Sequence, residues 1–524
     1  MERLPNLVNI SKSKNIIGIF QGLNKTETVE DNEFSEMQNL SSSEYPAASA
    51  RNPRGEAVKN IEKANGCYYK NGLLYVDGTK LYYKDELIAN TLTDSKKLMC
   101  GMGAYVVIWP DKKMFNTSTK EFTDLEYTFT QASTATIAPT TDGSTFTVIT
   151  CTGIGKGLKT GDGVTIAGVT VQTTSGEDVL NGSKIIQGRT DDSITVIGQM
   201  SESKTQESGI TVKRTAPDID FICESDNRLY ACSSEKHEIY ASKLGDPTNW
   251  NAFEGISTDS YAATVGSDGD FTGCISFMGY VLFFKEESIL KLYGSKPSNF
   301  QITSYPYRGV AKGCDKTLTI VNETLYYAAR NCIMRFDGAV PESISDKLGN
   351  LLNESGTAGH YNNKLFIWLE NKTAGNALYV YDTRFQFWHE ESTEGAAYSV
   401  HGDGELYYID LKGALRTIED AAGSEKVEWY AVSGKQTDGS MNRKRITQLQ
   451  LMIDAPKDTL FEVLIAYDSS PLWERVYTKK DRGRTSSQIN ISPKKCTYFR
   501  YQIKGTGPFK LLGLAKTVQI AGPR

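Results

Sequence analysis

A two-strand pattern recurs seven times along this chain, and it constrains the fold more than any other feature. Each copy has turn residues, an aromatic-rich apolar strand, a polar turn, and a second strand in which apolar and polar residues alternate. A first strand that is apolar nearly throughout is typical of a strand covered on both faces. The copies are NGLLYVDGTKLYYK from Asn71, GAYVVIWPDKKMFN from Gly103, NRLYACSSEKHEIYASK from Asn227, GYVLFFKEESILKLYG from Gly279, ETLYYAARNCIMRFDG from Glu323, NKLFIWLENKTAGNALYVYDT from Asn363 and GELYYIDLKGALRTIED from Gly404.

The spacing of these copies favours a propeller. From the third copy onward they begin about 40 to 50 residues apart, which is the period of a four-stranded propeller blade. Blades leave only short, protected sheet edges, so a long all-β chain can stay soluble. We therefore predict an all-β fold containing a β-propeller of about seven blades. A series of flat β-sandwiches is the alternative.

Two other stretches interrupt or follow the pattern. Residues 128–214 are rich in Thr, Gly and Ser, with short β-branched strands between Gly-Asp-Gly and Asn-Gly turns. They predict a small β-barrel or sandwich inserted into the propeller. Residues 423–524 read as six or more alternating strands and predict a C-terminal β-sandwich. The domains expected are an N-terminal arm at 1–60, the first blades at 61–127, the insert at 128–214, the remaining blades at 215–422 and the C-terminal sandwich at 423–524.

Composition excludes some classes of function. The 58 basic and 63 acidic residues give a net charge of −5, so the chain has no global basic surface for gripping nucleic acid. No apolar run reaches the roughly 18 residues that cross a bilayer, and the N-terminus lacks a signal-peptide pattern. The nine cysteines include no CxxC pair. They predict reduced, mostly buried thiols and a protein made in a cytosol, with a disulfide framework as the alternative.

No motif indicates a catalytic, cofactor or metal site. The four histidines form no HExxH or HxH array, and His389 and His401 are expected at strand ends with satisfied hydrogen bonds. The glycines from Gly153 to Gly161 lack phosphate-loop spacing and predict turns. Two pairs of neighbouring acidic residues, Asp268 with Asp270 and Glu286 with Glu287, are expected in solvent-exposed turns. The alternative is that they are the catalytic carboxylates of a glycosidase.

Three stretches together resemble one protein family. The first is the opening segment, with Gly22 to Asn24, then Asp31 and EFSEMQNL, then RNPRG. The second is SKLGDPTNWNAF, which contains a Gly-Asp-Pro-x-x-Trp blade turn. The third runs from GYVLFFKEESILKLYG through RGVAKGC to MRFDGAVPESISDKL. These stretches resemble the propeller-built tail nozzle and packaged-DNA stabilisation proteins of short-tailed bacteriophages. The inserted LKTGDGVTIAGV module is similar to small β domains carried by such proteins.

The resemblance implies a structural protein of the virion tail, made in the host bacterial cytoplasm. It implies a ring of identical subunits, expected to be hexameric, that contacts the portal, adaptor and other tail proteins. The ring would extend the portal channel, retain the packaged DNA and conduct it during ejection, with transient contact to that DNA. No enzyme activity and no cofactor are expected.

Two groups of residues follow from the resemblance. Arg51 and Arg54 are expected to pair with carboxylates where the arm, residues 31–55, gains its order from the propeller or from a neighbouring subunit; an ordinary surface lead-in to the first blade is the alternative. Tyr45, Arg51 and Arg54 are the predicted subunit-contact residues. The predicted blade-turn residues are Gly245, Asp246, Pro247 and Trp250.

Two other functions stay open at this point. A tail-tip or baseplate adhesin would bind a host surface receptor through the insert and through exposed tyrosines such as Tyr407 and Tyr408. A glycan-cleaving enzyme would use acidic residues in the central channel.

Overall fold

The computed structural model describes residues 11–520, except 142–144, 172, 174–175 and 373–374. Residues 1–10 of the expected arm and 521–524 of the expected C-terminal sandwich lie outside this range. Strands make up 52% of the chain and helices 2%, so the predicted all-β class is confirmed. The chain divides into two compact units, Glu62–Ala311, and Met1–Ile61 together with Lys312–Arg524.

The unit Glu62–Ala311 contains four blades, each a sheet of four antiparallel strands. Blade 1 is Ala64–Tyr69, Leu73–Asp77, Lys80–Tyr83 and Glu86–Ala89; blade 2 is Leu98–Met102, Tyr105–Trp109, Lys113–Asn116 and Phe122–Asp124. Blade 3 is Phe221–Ser225, Arg228–Ser233, Glu238–Ala241 and Tyr261–Thr264; blade 4 is Gly273–Phe277, Tyr280–Phe284, Ile289–Tyr293 and Gln301–Tyr305. A 3-10 turn at Pro297–Asn299 precedes the last strand of blade 4.

The other unit contains three blades. Blade 5 is Thr319–Val321, Thr324–Ala328, Ile333–Phe336 and Glu342–Ser343; blade 6 is Asn353–Tyr361, Lys364–Asn371, Gly375–Asp382 and Phe387–Glu391. Blade 7 is Ala396–Gly402, Glu405–Asp410 and Ala414–Thr417, completed by Lys59–Asn60 from the N-terminal segment. Two 3-10 turns, Asp315–Thr317 and Asp346–Leu348, flank blade 5.

The seven sheets confirm the predicted propeller class and its seven blades. Each sequence pattern supplies the second and third strands of one blade. In blade 3 the second strand, Arg228–Ser233, is buried at every position, which explains its apolar run from Leu229 to Cys232. The turn that leads into it has positive φ at both Asp226 (50°) and Asn227 (60°). That geometry is typical of two-residue hairpin turns and favours Asn, Asp and Gly.

Residues from Tyr127 to Arg214 form two small sheets around their own core. The core consists of fully buried aliphatic side chains such as Ile137, Ile149 and Val196. The first sheet is Tyr127–Thr130, Thr211–Arg214, Gly163–Ala167 and Gly182–Ile185; the second is Gly188–Thr190, Ser193–Ile197, Phe146–Thr150, Ala135–Pro139 and Lys204–Gln206. The predicted inserted β domain is therefore a two-sheet structure.

The last sheet of the chain has nine strands and takes four of them from the N-terminal segment. They are Ser11–Ile17, Phe34–Gln38, Leu40–Ser41, Ala48–Ala50, Glu428–Ser433, Lys444–Tyr467, Glu474–Asn490, Phe499–Thr506 and Lys510–Ile520. Ser11–Ile17 pairs with Leu514–Ile520 in a continuous antiparallel register. Residues 1–60 were expected as a separate arm. Their strands Phe34–Gln38 and Ala48–Ala50 instead pair with strands about 400 residues or more away in the chain, and these pairings leave no local signal in the sequence.

Among the described residues, no helix is long and apolar enough to cross a membrane.

Removing one backbone donor from the N-terminal strand of blade 7 should loosen that blade. The Val58 N–H donates to the Leu415 carbonyl (N···O 2.9 Å), and Val58→Pro deletes this donor. The exposed Val58 side chain contributes little burial, so Val58→Ala is the matched control. We expect Val58→Pro to lower the free energy of unfolding by about 1 to 3 kcal/mol and to speed amide hydrogen exchange in residues 405–417. Equal exchange in both variants would contradict this pairing.

Candidate functional site

The N-terminal segment lies across blade 6, and we call residues 20–55 the clasp. Leu23 donates its backbone N–H to the Trp388 carbonyl (2.7 Å), and Asn39 donates to the Glu390 carbonyl (2.9 Å). Both acceptors belong to the last strand of blade 6. The clasp therefore packs on blade 6 of its own chain, and a contribution from a neighbouring subunit stays a prediction.

Two arginines of the clasp make ion pairs with two glutamates, of which Glu391 is buried and Glu425 is exposed. Arg51 binds Glu425 through both guanidinium ends, with Nη2–Oε1 2.8 Å and Nη1–Oε2 3.1 Å. Arg54 Nη2 donates to Glu391 Oε2 at 2.5 Å, and the Arg54 backbone N–H donates to Glu425 at 2.7 Å. Two-point guanidinium–carboxylate contacts are strong and orientation-specific. The expected pairing with carboxylates occurs within one chain, and the role of these residues between subunits stays a prediction.

Glu391 is the centre of this cluster, with only 2% of its side chain exposed. Burial acts to raise its pKa, but the nearby Arg54 and Arg51 outweigh burial and hold the pKa below its ordinary value. The same balance lowers the pKa of Glu425, where Arg51 opposes the effect of burial. Both carboxylates are therefore charged at neutral pH, and each has a cation as its partner.

Hydrogen bonds between clasp side chains and residues in or next to blade 6 extend the cluster. The Asn39 Oδ1 atom accepts from Arg51 Nε (3.0 Å) and from the Ser392 N–H (2.8 Å). The ammonium of Lys364 donates to the hydroxyls of Ser41 and Ser43, both at 2.8 Å. Burial lowers the pKa of Lys364. The clasp thus supplies acceptors for the buried ammonium of Lys364.

His389 lies beneath the clasp in the last strand of blade 6 and is fully buried. Neither ring nitrogen has a hydrogen-bond partner among the described residues. Burial, together with the charge of Lys364, lowers the pKa of His389 to about 3. The imidazole is therefore neutral at pH 7. The prediction of a hydrogen-bonded histidine at a strand end was wrong, because the clasp covers this strand.

Tyr45 differs from the two arginines because its ring stays at the surface. It stacks on Phe385 with a centroid distance of 3.9 Å, and both side chains are 36% exposed. The Arg384 guanidinium carbon lies 4.9 Å from the Phe385 ring centroid. These three residues form a small aromatic and cationic surface, which we call the Tyr45 patch.

Further ion pairs hold the clasp to the rest of its unit. The Lys516 ammonium, with a fully buried side chain, binds Asp31 at 2.8 Å and Asp438 at 3.0 Å. Glu33 accepts from Lys347 at 2.6 Å. Burial acts to raise the pKa of Glu33, but Lys347 and Asn24 hold it lower. The acidic Asp31 of the opening segment is therefore a structural anchor for the C-terminal sheet.

The Gly-Asp-Pro-x-x-Trp turn lies in blade 3 and is built on local hydrogen bonds. Gly245 has a φ of 75°, and Asp246 Oδ1 accepts from the Thr248 N–H (2.9 Å) and hydroxyl (2.7 Å). The Trp250 indole donates to the Pro247 carbonyl at 3.0 Å. Its buried ring packs edge-on against Trp109, 5.9 Å between centroids.

This turn also binds the inserted domain to blade 3. The Asn249 side chain donates to the Gly161 carbonyl (2.7 Å) and accepts from the Gly163 N–H (3.2 Å). A side chain at Gly163 would have its Cβ 2.1 Å from the Asn251 carbonyl oxygen, so this approach requires glycine. The glycines at 153–161 form turns at the same junction, as predicted.

Other residues singled out in the sequence lie elsewhere. Tyr408 is buried, so its assignment as an exposed receptor-contacting tyrosine was wrong; it packs against Trp368. Tyr407 is half-buried. The ring of His401 stacks on His360, 4.4 Å between centroids. The candidate carboxylates are exposed in loops of blade 4 and its lead-in; they are Asp268, Asp270, Glu286 and Glu287.

Seven cysteines are buried and two are half-buried, and none of the nine forms a disulfide. Within the described ranges, no group of three or more His, Cys, Asp or Glu side chains is placed to hold a metal ion.

Sequence reasoning found the clasp arginines but missed their partners. Glu391 and Glu425 lie 337 and 374 positions from Arg54 and Arg51, respectively. The one local signal is the sequence WHEE in the last strand of blade 6, where charged residues occupy positions that a blade strand normally gives to apolar ones.

Comparison with known proteins adds little beyond the fold class. No family model matches this sequence, and no curated protein sequence matches it. Among solved structures, the chain is similar to an exo-beta-1,3-galactanase from Phanerochaete chrysosporium, at 10% identity over 56% of this chain and 94% of that chain, with a TM-score of 0.24. It is similar to PorZ, a bacterial surface component of the type-IX secretion system of Porphyromonas gingivalis, at 11% identity over 82% and 71%, with a TM-score of 0.29. It is also similar to BamB from Moraxella catarrhalis, at 9% identity over 74% and 99%, with a TM-score of 0.31. All three TM-scores are below 0.5, so these likenesses say nothing about function.

The neutral His389 should make stability fall with decreasing pH before the carboxylates titrate. Because its folded pKa is about 3 and its ordinary value is 6.5, the unfolded chain binds one more proton between these values. Stability contributed by the neutral imidazole is therefore lost as pH falls below 6.5, by up to about 1.4 kcal/mol per pH unit. The clasp carboxylates add to the pH dependence of stability only below about pH 4.5, the ordinary pKa of a glutamate.

Urea unfolding followed by tryptophan fluorescence between pH 6.5 and 4.5 isolates this effect. We expect His389→Met to remove most of the slope; His360, whose pKa burial also lowers, contributes the remainder. His237→Gln replaces an exposed histidine and is the control that keeps the slope. A slope unchanged in His389→Met would refute the neutral assignment.

The blade-3 turn gives a second prediction. Asp246→Ala removes the acceptor for Thr248, and we expect a loss of about 1 kcal/mol in stability. Asp246→Asn keeps an Oδ1 acceptor and should lose less than half as much. Because Asn249 of this turn binds the insert, Asp246→Ala should also speed amide exchange at residues 161–166. Unchanged exchange there would show that the turn does not seat the insert.

Proposed function

We propose that this chain is a structural protein of a bacteriophage tail, acting as a nozzle or hub. In this role an oligomeric ring, hexameric by analogy with the resembled family, extends the portal channel. It retains packaged DNA and conducts it during ejection. The resemblance of the opening segment, the blade-3 turn and the blade 4–5 stretch to tail nozzle proteins is the starting point, and seven-bladed all-β architecture agrees with it.

The observation that carries the proposal is the way the N-terminal segment is secured. Strands at both ends of the chain lie in one sheet, and the ion pair of Arg54 with the buried Glu391 fixes the clasp to blade 6. A force applied along Ser11–Ile17 acts parallel to an antiparallel pairing of seven residues, so several hydrogen bonds must yield together. A part that bears the load of packaged DNA benefits from such attachment.

The charge of the chain agrees with a channel wall. A conduit should not retain DNA, because each phosphate neutralised by Lys or Arg adds affinity that must be lost again. A net charge of −5 suits brief contact with a moving duplex. On this proposal the chain is not an enzyme, its partners are further copies of itself with portal, adaptor and other tail proteins, and its location is the virion tail after synthesis in the host bacterial cytoplasm.

We assign the Tyr45 patch to the contact between neighbouring subunits. Tyr45 and Phe385 are large exposed aromatic side chains stacked on each other, and Arg384 lies beside them. Aromatic residues and arginine are enriched at protein interfaces, where they contribute most of the binding energy. Arg51 and Arg54 would act indirectly, by holding the segment that presents Tyr45.

Native mass spectrometry and negative-stain images of the purified full chain test the proposal. We expect a closed ring, six-fold in the images, that binds a portal–adaptor assembly. A protein that stays monomeric at all concentrations and fails to bind that assembly would overturn the proposal. Binding to whole host cells without ring formation would instead support the adhesin alternative.

The Tyr45 patch gives a sharper variant test. We expect Tyr45→Ser combined with Phe385→Ser to weaken ring assembly at least tenfold in concentration, since interface aromatics each contribute about 1 to 2 kcal/mol or more. Leu472→Ser removes another exposed apolar side chain, 74% exposed in the same unit, and should leave assembly unchanged. If both variants assemble like the unaltered chain, the patch is not the contact.

A further inference from the structure

A cavity of about 580 Å³ lies between blades 6 and 7, with residues 51–56 of the N-terminal segment along one side. This volume is in the range of small-molecule binding sites, about 300 to 1,000 Å³. Its walls include two aromatic side chains, Trp368 and Tyr408. They also include three arginines, which are Arg51, Arg54 and Arg416. All of these residues belong to one compact unit.

Trp368 is unusual among the buried tryptophans of this chain. Five tryptophans are buried, and in four of them the indole N–H donates to a backbone carbonyl; these are Trp109, Trp250, Trp388 and Trp429. The indole of Trp368 has no acceptor in the part of the chain that the structure describes. A fully buried indole N–H normally has a protein partner, whereas Trp368 lines the cavity.

Tyr408 repeats this feature on the neighbouring strand. Its ring stacks on Trp368 at a centroid distance of 5.2 Å, and only 8% of the residue is exposed. Its hydroxyl makes no hydrogen bond to any described residue. Both residues line the cavity, so their polar groups are available to a molecule bound there.

Four cationic and four acidic side chains line the cavity. Lys412 is paired with Glu394, and Glu56 is open to solvent. Glu425 is paired with Arg51, and Asp410 Oδ1 accepts from the backbone N–H groups of Lys412 and Ala414. Arg416 donates through Nη1 to the Gly55 carbonyl (3.1 Å), and its nearest carboxylate oxygen, on Asp410, is 3.8 Å away from Nε. Its Nη2 has no acceptor among the described residues.

We propose that this cavity binds a small molecule that carries a phosphate or carboxylate group, whose anionic oxygens accept hydrogen bonds from Arg416, Tyr408 and Trp368. Three donors without acceptors among the described residues line this one cavity. An oxyanion supplies acceptors alone, whereas a neutral sugar hydroxyl would also bring a proton needing its own partner. The volume leaves room for a body of about monosaccharide size beside the anionic group. This site does not depend on the tail function, because its groups act in a single chain.

Isothermal titration calorimetry on the full chain compares four probes: ribose 5-phosphate, glucuronate, glucose and inorganic phosphate. We expect ribose 5-phosphate or glucuronate to bind at least tenfold more tightly than glucose, and the tighter of the two identifies the anionic group. The sugar-containing anion should also exceed inorganic phosphate. Binding of none of the probes at 10 mM, a concentration of about the weakest specific affinities, or equal binding of glucose, overturns the proposal.

Variants tie the binding to these side chains. Tyr408→Phe keeps the stacked ring and removes only the hydroxyl, and Arg416→Gln removes the charge of a partly exposed side chain; each should weaken binding about tenfold or more. Arg335→Gln removes a comparably exposed arginine in blade 5, where it pairs with Glu342, and should bind like the unaltered chain. Unchanged binding in both cavity variants overturns the proposal.

A spectroscopic measurement covers the case in which a cavity variant fails to fold. In the unaltered chain, the indole N–H resonance assigned to Trp368 should shift when the tighter probe is added, while the four hydrogen-bonded buried indoles stay in place. Binding without any shift of the Trp368 resonance would locate the ligand elsewhere and overturn the assignment.

Discussion

The edge of a β-sheet carries backbone N–H and C=O groups that need partners, and blade 7 meets this need with residues from the other end of the chain. Its own sequence provides three strands, and Lys59–Asn60 provides the fourth. Once residue 59 is held there, the preceding segment must run back past blade 6. The clasp, its ion pairs and the four N-terminal strands of the nine-stranded sheet all follow from that path.

The ion pairs of the clasp define its position more than they stabilise it. Moving charges such as Glu391 and Arg51 out of water costs several kcal/mol, and their mutual attraction does little more than offset that cost. A displaced clasp, however, would leave Glu391 and Lys364 buried without their partners, and this state is strongly unfavourable. The arrangement therefore selects one register of the clasp on blade 6. Local apolar packing, from Phe20, Leu23 and Phe34, contributes the favourable burial.

Local sequence pattern predicted the repeated part of the fold well. The number of blades and the inner strands of each followed from the alternation of apolar and polar residues and from hairpin turns such as Asp226–Asn227. The arm was harder, because its strands are as short as two residues and its partners are distant in sequence. Of the candidate site, Arg51 and Arg54 were visible as basic residues in a segment without a core. Glu391, Glu425 and the buried His389 were not, because only the fold brings them together. Tyr408 was misjudged because one strand position decides which of two adjacent tyrosines is buried.

The pairing of Ser11–Ile17 with Leu514–Ile520 has a consequence for biosynthesis. At about 5 to 20 residues per second, a ribosome needs roughly 25 to 100 s to travel from one strand to the other. During that time Phe20, Leu23 and Phe34 have emerged, while the surfaces that will cover them are still unmade. The unit Glu62–Ala311 is complete well before the ribosome finishes, whereas the other unit assembles only after release. Nascent chains of this protein therefore carry an uncovered apolar segment near their N-terminus. We expect chaperones at the ribosomal exit to bind this segment.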